Sequence, residues 1–226
     1  MSHPLDNPIW TALGSTHAHL SQGGARARRY PGSIVPFAAT IDDEEESLAA
    51  LEALVRPGET VIFLQRRDAR LPASLTVVAR AAGVQMVAAG ALPAVPEGDL
   101  EPLCDADAAE MLALAELTKP GPFTLRAQAL GRFWGVRREG RLVAMAGERL
   151  MPAGFSEVSG LCTHPDWRGR GFGRQLFLHA AHQAVARHET PFLHAYATNE
   201  TAIALYRSLG FAHRCDMHVA VLAKAG

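Results

Sequence analysis

The stretch "HPDWRGRGFGRQLFLHAA", His164 to Ala181, alternates arginine and glycine from Arg168 to Gly171 and then runs straight into a helical pattern. Gly169, Gly171 and Gly173 carry no side chain, so the backbone can turn tightly and approach a ligand closely. The first N–H groups of a helix lack internal partners, and with the helix dipole they form an anion site. Arg168, Arg170 and Arg174 add cationic donors suited to phosphate oxygens. A pyrophosphate fits this arrangement; a plain exposed loop is the alternative. Two familiar phosphate motifs fail. A P-loop needs lysine and then serine or threonine, where this chain has Arg174 and Gln175. A dinucleotide fingerprint needs G-x-G-x-x-G and a ribose-binding acid further on. Here the glycines are spaced two apart, and Glu189 lies in "HETP", which reads as a turn.

Outward from this turn the pattern is mixed α/β. For residues 105–226 the expected order is helix, two or three antiparallel strands, helix, strand, helix, strand. "DADAAEMLALAELTKP" reads as a helix with an aspartate cap that stops at Pro120, and "GPFTLRAQALG" as a short helical segment or loop. "RFWGVRREGRLVAMAGERLM" reads as two strands around a turn at Glu139-Gly140, and "GFSEVSGLCTH" (154–164) as another strand. A helix over 171–187, the strand "PFLHAYA", a helix ending at Gly210 and a closing strand follow. Upstream, "DDEEESLAALEALV" reads as a helix with acids in its first turn and "TVIFLQR" as a buried strand. "SLTVVARAAGVQMVAA" is left open between helix and strand, and the proline-rich 91–103 reads as a connector. The basic stretch around Arg26, Arg28 and Arg29 reads as a surface loop, with a phosphate contact as the alternative.

The chain has 226 residues and a formal net charge of -1, so no global field draws it to nucleic acid or an anionic membrane. Its three cysteines, Cys104, Cys162 and Cys215, share no short metal spacing and point to a reducing compartment. With no secretory pattern and no apolar run of the roughly 20 residues that span a membrane, the expectation is a soluble, cytoplasmic protein, monomeric or homodimeric. Metal binding is not expected: His179 and His182 share a helix face, but H-E-x-x-H is absent.

Two segments together carry a family resemblance. "SEVSGLCTHPDWRGRGFGRQLF" contains R-x-x-G-x-G as Arg168, Gly171 and Gly173, and "PFLHAYATNETAIALYRSLGF" contains Asn199, Ala202, Leu205, Tyr206, Gly210 and Phe211 in order. The chain resembles the GCN5-related N-acetyltransferases, the GNAT superfamily, and within it the FR47-like branch. The resemblance is clear over 155–212 and extends at fold level over 101–226. It implies a mixed central sheet with splayed parallel strands flanked by helices. Residues 1–100 then form an N-terminal α/β region, read either as a degenerate GNAT-like half or as a lid or dimer piece.

The resemblance also implies a reaction: transfer of an acetyl group from acetyl-CoA to a primary amine of a small molecule or peptide, by direct attack in a ternary complex. A non-catalytic acyl-CoA sensor or interaction module is the alternative. Backbone at Leu161 and Thr163 is expected to line the pantetheine arm, with the Leu161 amide polarising the thioester carbonyl. Amides of Arg168, Gly169, Arg170, Gly171, Phe172, Gly173 and Arg174 are expected to hold the pyrophosphate. Asn199 caps its helix and contacts the cofactor. Tyr206 is the expected acid for the departing thiolate, with core packing as the other reading. Glu157 is the expected general base, with Glu148 as runner-up, and both hint at a cationic acceptor. Cys162 on its apolar strand reads as packing.

Overall fold

The computed structural model describes residues 3–226. In the first forty residues β1 (Gln22–Gly23), β2 (Ala27–Arg29) and β3 (Ala38–Thr40) form a small antiparallel sheet beside α1 (Pro8–Leu13). Of the basic stretch, only Arg29 is buried, against Glu59 and the Leu54 carbonyl; Arg28 lies half-buried over the Trp10 ring, and Arg26 is exposed and pairs with Glu46.

The main sheet has eight strands in the order β4-β11-β5-β10-β9-β8-β7-β6. They are β4 (Thr60–Gln65), β5 (Thr76–Ala88), β6 (Glu101–Leu103), β7 (Phe133–Arg138), β8 (Arg141–Glu148), β9 (Phe155–Thr163), β10 (Thr190–Tyr196) and β11 (Phe211–Ala223). Helices α2 (Glu45–Leu54), α3 (Ala108–Thr118), α4 (Phe172–Ala186) and α5 (Glu200–Ser208) complete the mixed α/β architecture. Every pairing is antiparallel except β9 with β10.

Segment 75–90, left open by its sequence, is one long strand. β5 pairs with β11 from Thr76 to Ala88 and with β10 from Gly83 to Val87. A strand from the first hundred residues therefore lies between two strands from beyond residue 190, and β4 flanks β11 on its far side. The portions on either side of residue 100 share one sheet and one apolar cluster, in which Leu5, Ile9 and Tyr30 meet Leu150, Phe192 and Met217.

Local signals elsewhere land close to their marks. The β7–β8 turn falls on Glu139 (φ 54°) and Gly140 (φ 75°), both left-handed as a two-residue hairpin requires. The proline-rich connector ends in an edge strand, β6, which pairs with β7 through Glu101 and Leu103. "GPFTLRAQALG" is a loop with one 3-10 turn, Ala127–Leu130. α3 starts later than its sequence implies, after a 3-10 turn at Asp105–Asp107. The Asp107 carboxylate accepts from the Cys104 amide instead of capping the helix. No helix among the described residues is long and apolar enough to cross a membrane.

With β5 threaded between β10 and β11, residues 101–226 expressed alone leave two strand edges unpaired. That fragment is expected to show no cooperative thermal transition by circular dichroism, and co-expression with residues 1–100 is expected to restore one.

Candidate active site

β9 and β10 pair in parallel at Phe155–Thr190, Ser156–Pro191 and Glu157–Phe192, and there the pairing ends. Past this point β10 follows β5, while β9 continues beside β8. Residues 158–163 of β9 thus face an opening. Within it, Met145 pairs with Cys162 and Gly147 with Ser159, so Gly160 and Leu161 together oppose one β8 residue, Ala146. This is a β-bulge, and Gly160 takes the left-handed φ of 64° that it needs. A bulge leaves its extra residue outside the ladder, which frees backbone groups at Gly160 and Leu161. Leu161 borders the apolar cluster beneath α4 and α5, whereas Cys162 packs in the cluster beneath α3. Burial pushes the Cys162 thiol up to about 11, the state of a packing cysteine and not of a nucleophile.

The glycine turn sits at the open end of β9. Gly169 (φ 75°) and Gly171 (φ 83°) are both left-handed, and a Cβ on either would meet nothing within 4 Å. α4 begins after Gly171 with no side-chain cap, so its first N–H groups face outward uncapped. Thr163 lies beside Gly173, and the Thr163 carbonyl accepts from Arg168 Nε at 3.4 Å. Arg170 lies over the Trp167 ring. Arg168, Arg170 and Arg174 form no ion pair among the described residues. Arg170 also donates to the Asp166 carbonyl at 3.4 Å, so two of the three guanidinium groups touch the turn itself while all three keep their charge unpaired; an open cradle of amides with these groups fits a diphosphate.

Asn199 caps α5 by accepting from the Ala202 amide at 3.1 Å. Tyr206 packs on Phe177 with ring centroids 4.9 Å apart and borders the same cluster as Leu161, Trp167 and Phe172. Burial pushes its phenol up to about 12. His179 meets the Trp134 ring edge-on and His182 bonds the Pro93 carbonyl, so each has a structural contact.

The two carboxylates expected as bases are both locked. Glu148 is buried, pairs with Arg187 and accepts from the Arg132 amide. Glu157 is fully buried. Its carboxylate accepts from Arg149 Nε (2.9 Å) and Nη2 (2.6 Å), from the Leu150 amide and from His194 Nδ1 (2.7 Å). Burial alone would raise its pKa, but the Arg149 charge and the bonds from Arg149 and His194 outweigh that and bring it down to about 2. A carboxylate so acidic and so fully engaged takes no proton from an amine. Four hydrogen bonds thus fix Glu157 at the apex of the opening; the register that pairs Glu148 with Val158 sets Arg149 next to it.

The anchor extends into a buried polar chain. Gln85 Oε1 accepts from Arg214 Nη1 at 2.8 Å, which fixes the amide's orientation because arginine only donates. Gln85 Nε2 therefore donates to the Leu5 carbonyl and to His194 Nε2, both at 2.9 Å. His194 Nε2 must accept, so its ring proton sits on Nδ1 and is given to Glu157.

On the far side of Arg149 a narrow crevice runs between the loop after α3 and the bulge. It is tight, with room for about one water molecule. Ile34, Phe123, Leu130 and Phe133 line it, and Arg149, Ser159 and Gly160 close its inner end.

Solved structures share the fold. A GNAT-family protein from Novosphingobium aromaticivorans is 37% identical, with 100% of each chain covered and a TM-score of 0.93. The chain belongs to the GNAT family. The model of the family described as FR47-like protein matches residues 133–219, which hold the opening, the glycine turn and α5. Two more distant structures share the fold. A GCN5-related N-acetyltransferase from Kribbella flavida is 16% identical, with a TM-score of 0.63 over 97% of this chain and 96% of that one. A GCN5-related N-acetyltransferase-like protein from Streptococcus suis is 14% identical, with a TM-score of 0.57 over 95% and 92%. No functionally curated protein matches the sequence.

Because Glu157 is more acidic folded than unfolded, its stabilisation is complete above the usual glutamate value of 4.5 and drains away as pH falls toward about 2. Urea titrations of the wild type are expected to lose on the order of 3 kcal/mol across that window. Glu157→Gln should lack that loss, and at neutral pH it should already be destabilised by about 3–5 kcal/mol, since Arg149 is left buried without its counter-charge.

Proposed function

We propose that this GNAT protein transfers the acetyl group of acetyl-CoA to a primary amine by direct attack in a ternary complex. The observation that carries the reading is the opening between β9 and β10, with a bulge inside it and an uncapped helix at its end. When bound, acetyl-CoA supplies an activated acyl carbon and a thiol leaving group. The amides from Arg168 to Arg174, with the Arg168, Arg170 and Arg174 side chains, hold the diphosphate. Backbone at Leu161 and Thr163 pairs with the pantetheine arm, and Asn199 borders it at the start of α5. The Leu161 amide, outside the ladder, is the donor placed where negative charge grows on the acyl oxygen.

Tyr206 gives its proton to the departing sulfur. Its raised pKa of about 12 keeps the phenol protonated until a thiolate forms. Glu157 does not serve as the base. It holds Arg149 and His194 at the apex; the ammonium loses one proton to water before attack, and the second nitrogen proton, released as the amide forms, returns through water to Tyr206. The pH dependence of kcat/KM then follows the acceptor amine and carries no enzymic carboxylate limb. The first hundred residues serve the site through Ile34, which lines the crevice.

Calorimetric titration tests the binding half. Acetyl-CoA should bind the wild type, and replacing Arg168 and Arg170 together by alanine should weaken it by about 10-fold or more. No binding at millimolar acetyl-CoA sinks the proposal. For the chemical half, Tyr206→Phe should lower kcat by about 100-fold or more with acetyl-CoA affinity unchanged. Unaltered turnover would make Tyr206 a packing residue, and tight binding with no thiol release across amines would mark a sensor.

A further inference from the structure

A cleft of about 610 Å³ runs between α5 and the paired strands β5 and β11, and none of its lining residues belongs to the glycine turn or to the β9–β10 opening. It is of the size that receives a binding partner. Val84 and Met86 of β5 form its floor, and Ile203 and Ala204 of α5 form its wall. α5 buries none of its residues fully, although Tyr206 packs on Phe177. His213 and Asp216 on β11 hydrogen-bond to each other at 2.8 Å. That leaves Glu200 and Arg207, both exposed and without an ion pair among the described residues, as the open charges of the cleft. They stand toward its two ends. α5 starts beside the Tyr196–Gly83 pair and is followed by Gly210, whose carbonyl accepts from the Ala89 amide. An occupant must therefore bring an apolar centre, a base for Glu200 and an acid for Arg207. The outer stripe of α5 is itself such a segment. Glu200 lies three residues before Ile203, and Arg207 three after Ala204. Laid antiparallel on itself, the stripe places acid on base at both ends and Ile203 on Ala204 at the centre.

We propose that the cleft receives α5 of a second copy of this chain, in a two-fold symmetric dimer. The two α5 helices lie side by side and antiparallel, each a ridge in the other copy's cleft. Glu200 meets the partner's Arg207, and Arg207 meets the partner's Glu200. Ala204, small and at the centre of the stripe, lets the helices approach closely. Burial of Ile203 and Val84 supplies the affinity. Ion pairs this exposed add little to it, but they fix direction and register. A parallel arrangement would set Glu200 against the partner's Glu200 and is disfavoured. The contact is isologous, so association closes at two copies. Each partner then packs against the helix that bears Asn199 and Tyr206. The dimer is independent of the transfer reading and stands or falls on association alone.

Sedimentation equilibrium of the full chain at low salt tests it. The wild type is expected to dimerise in the micromolar range. Glu200→Arg gives a stripe with a base at both ends, and Arg207→Glu gives one with an acid at both ends, so each variant repels its own kind. Each should weaken self-association by about 10-fold or more. Mixed in equal amounts the two variants are complementary, and the mixture should recover wild-type association to within about 3-fold. Both positions are exposed, and a wild-type far-UV circular dichroism spectrum checks that each variant folds. Ala204→Glu keeps a good helix former while blocking the centre, and it should be monomeric alone and in either mixture. A wild type that stays monomeric at about 100 µM overturns the proposal and leaves the cleft to a different partner. Variants that dimerise as the wild type does overturn it too, since the contact then lies on another surface. So does a mixture that associates no better than its components.

Discussion

The register between β9 and β10 holds for three residue pairs and then lets go, while β10 stays laddered to β5 on its other edge and β9 to β8 on its own. From Phe192 to Tyr196 β10 is laddered to β5, and β5 is laddered in turn to β11. Each strand is held by its outer neighbour, and the Gly160–Leu161 bulge bends β9 where it runs beside β8. Glu157 sits where the pairing ends, and its four hydrogen bonds tie β9 to Arg149, Leu150 and β10 at that point. The opening is thus a consequence of ordinary ladder hydrogen bonds formed elsewhere.

A single line of polar groups connects the two portions of the chain through this apex. It runs from Asp6 through Arg214, Gln85, His194 and Glu157 to Arg149, each member hydrogen-bonded to the next. Such a network is stable only when fully satisfied, because each unpaired member would be stranded at low dielectric. Among the described residues, both arginines of the line keep one nitrogen without a hydrogen-bond partner, Arg214 Nε and Arg149 Nη1.

Features that depend on neighbours in sequence were legible. The glycine turn, the Asn199 cap, the Glu139-Gly140 hairpin and the strand and helix order beyond residue 105 follow from local sterics and capping. Features that depend on distant pairing were not. Nothing in "TVVARAAGVQMVA" announces that it will lie between residues 190–196 and 211–223, since either helical or extended backbone buries the same side chains. The surroundings of Glu157 are hidden for the same reason: a strand glutamate reads as available until Arg149 and His194 are brought against it. The proline-rich run before residue 104 hid an edge strand, where Pro102 is tolerated between Glu101 and Leu103.

The threading of β5 also bears on the order of events at the ribosome. A strand complete by Ala88 has one ladder partner in β10 and its longer one in β11, the last strand of the sheet. The nascent chain therefore carries its apolar β5 unmatched through most of synthesis. Closure of the sheet waits on the final segment, a long-range pairing of the kind that forms slowly and lies open to misassociation meanwhile.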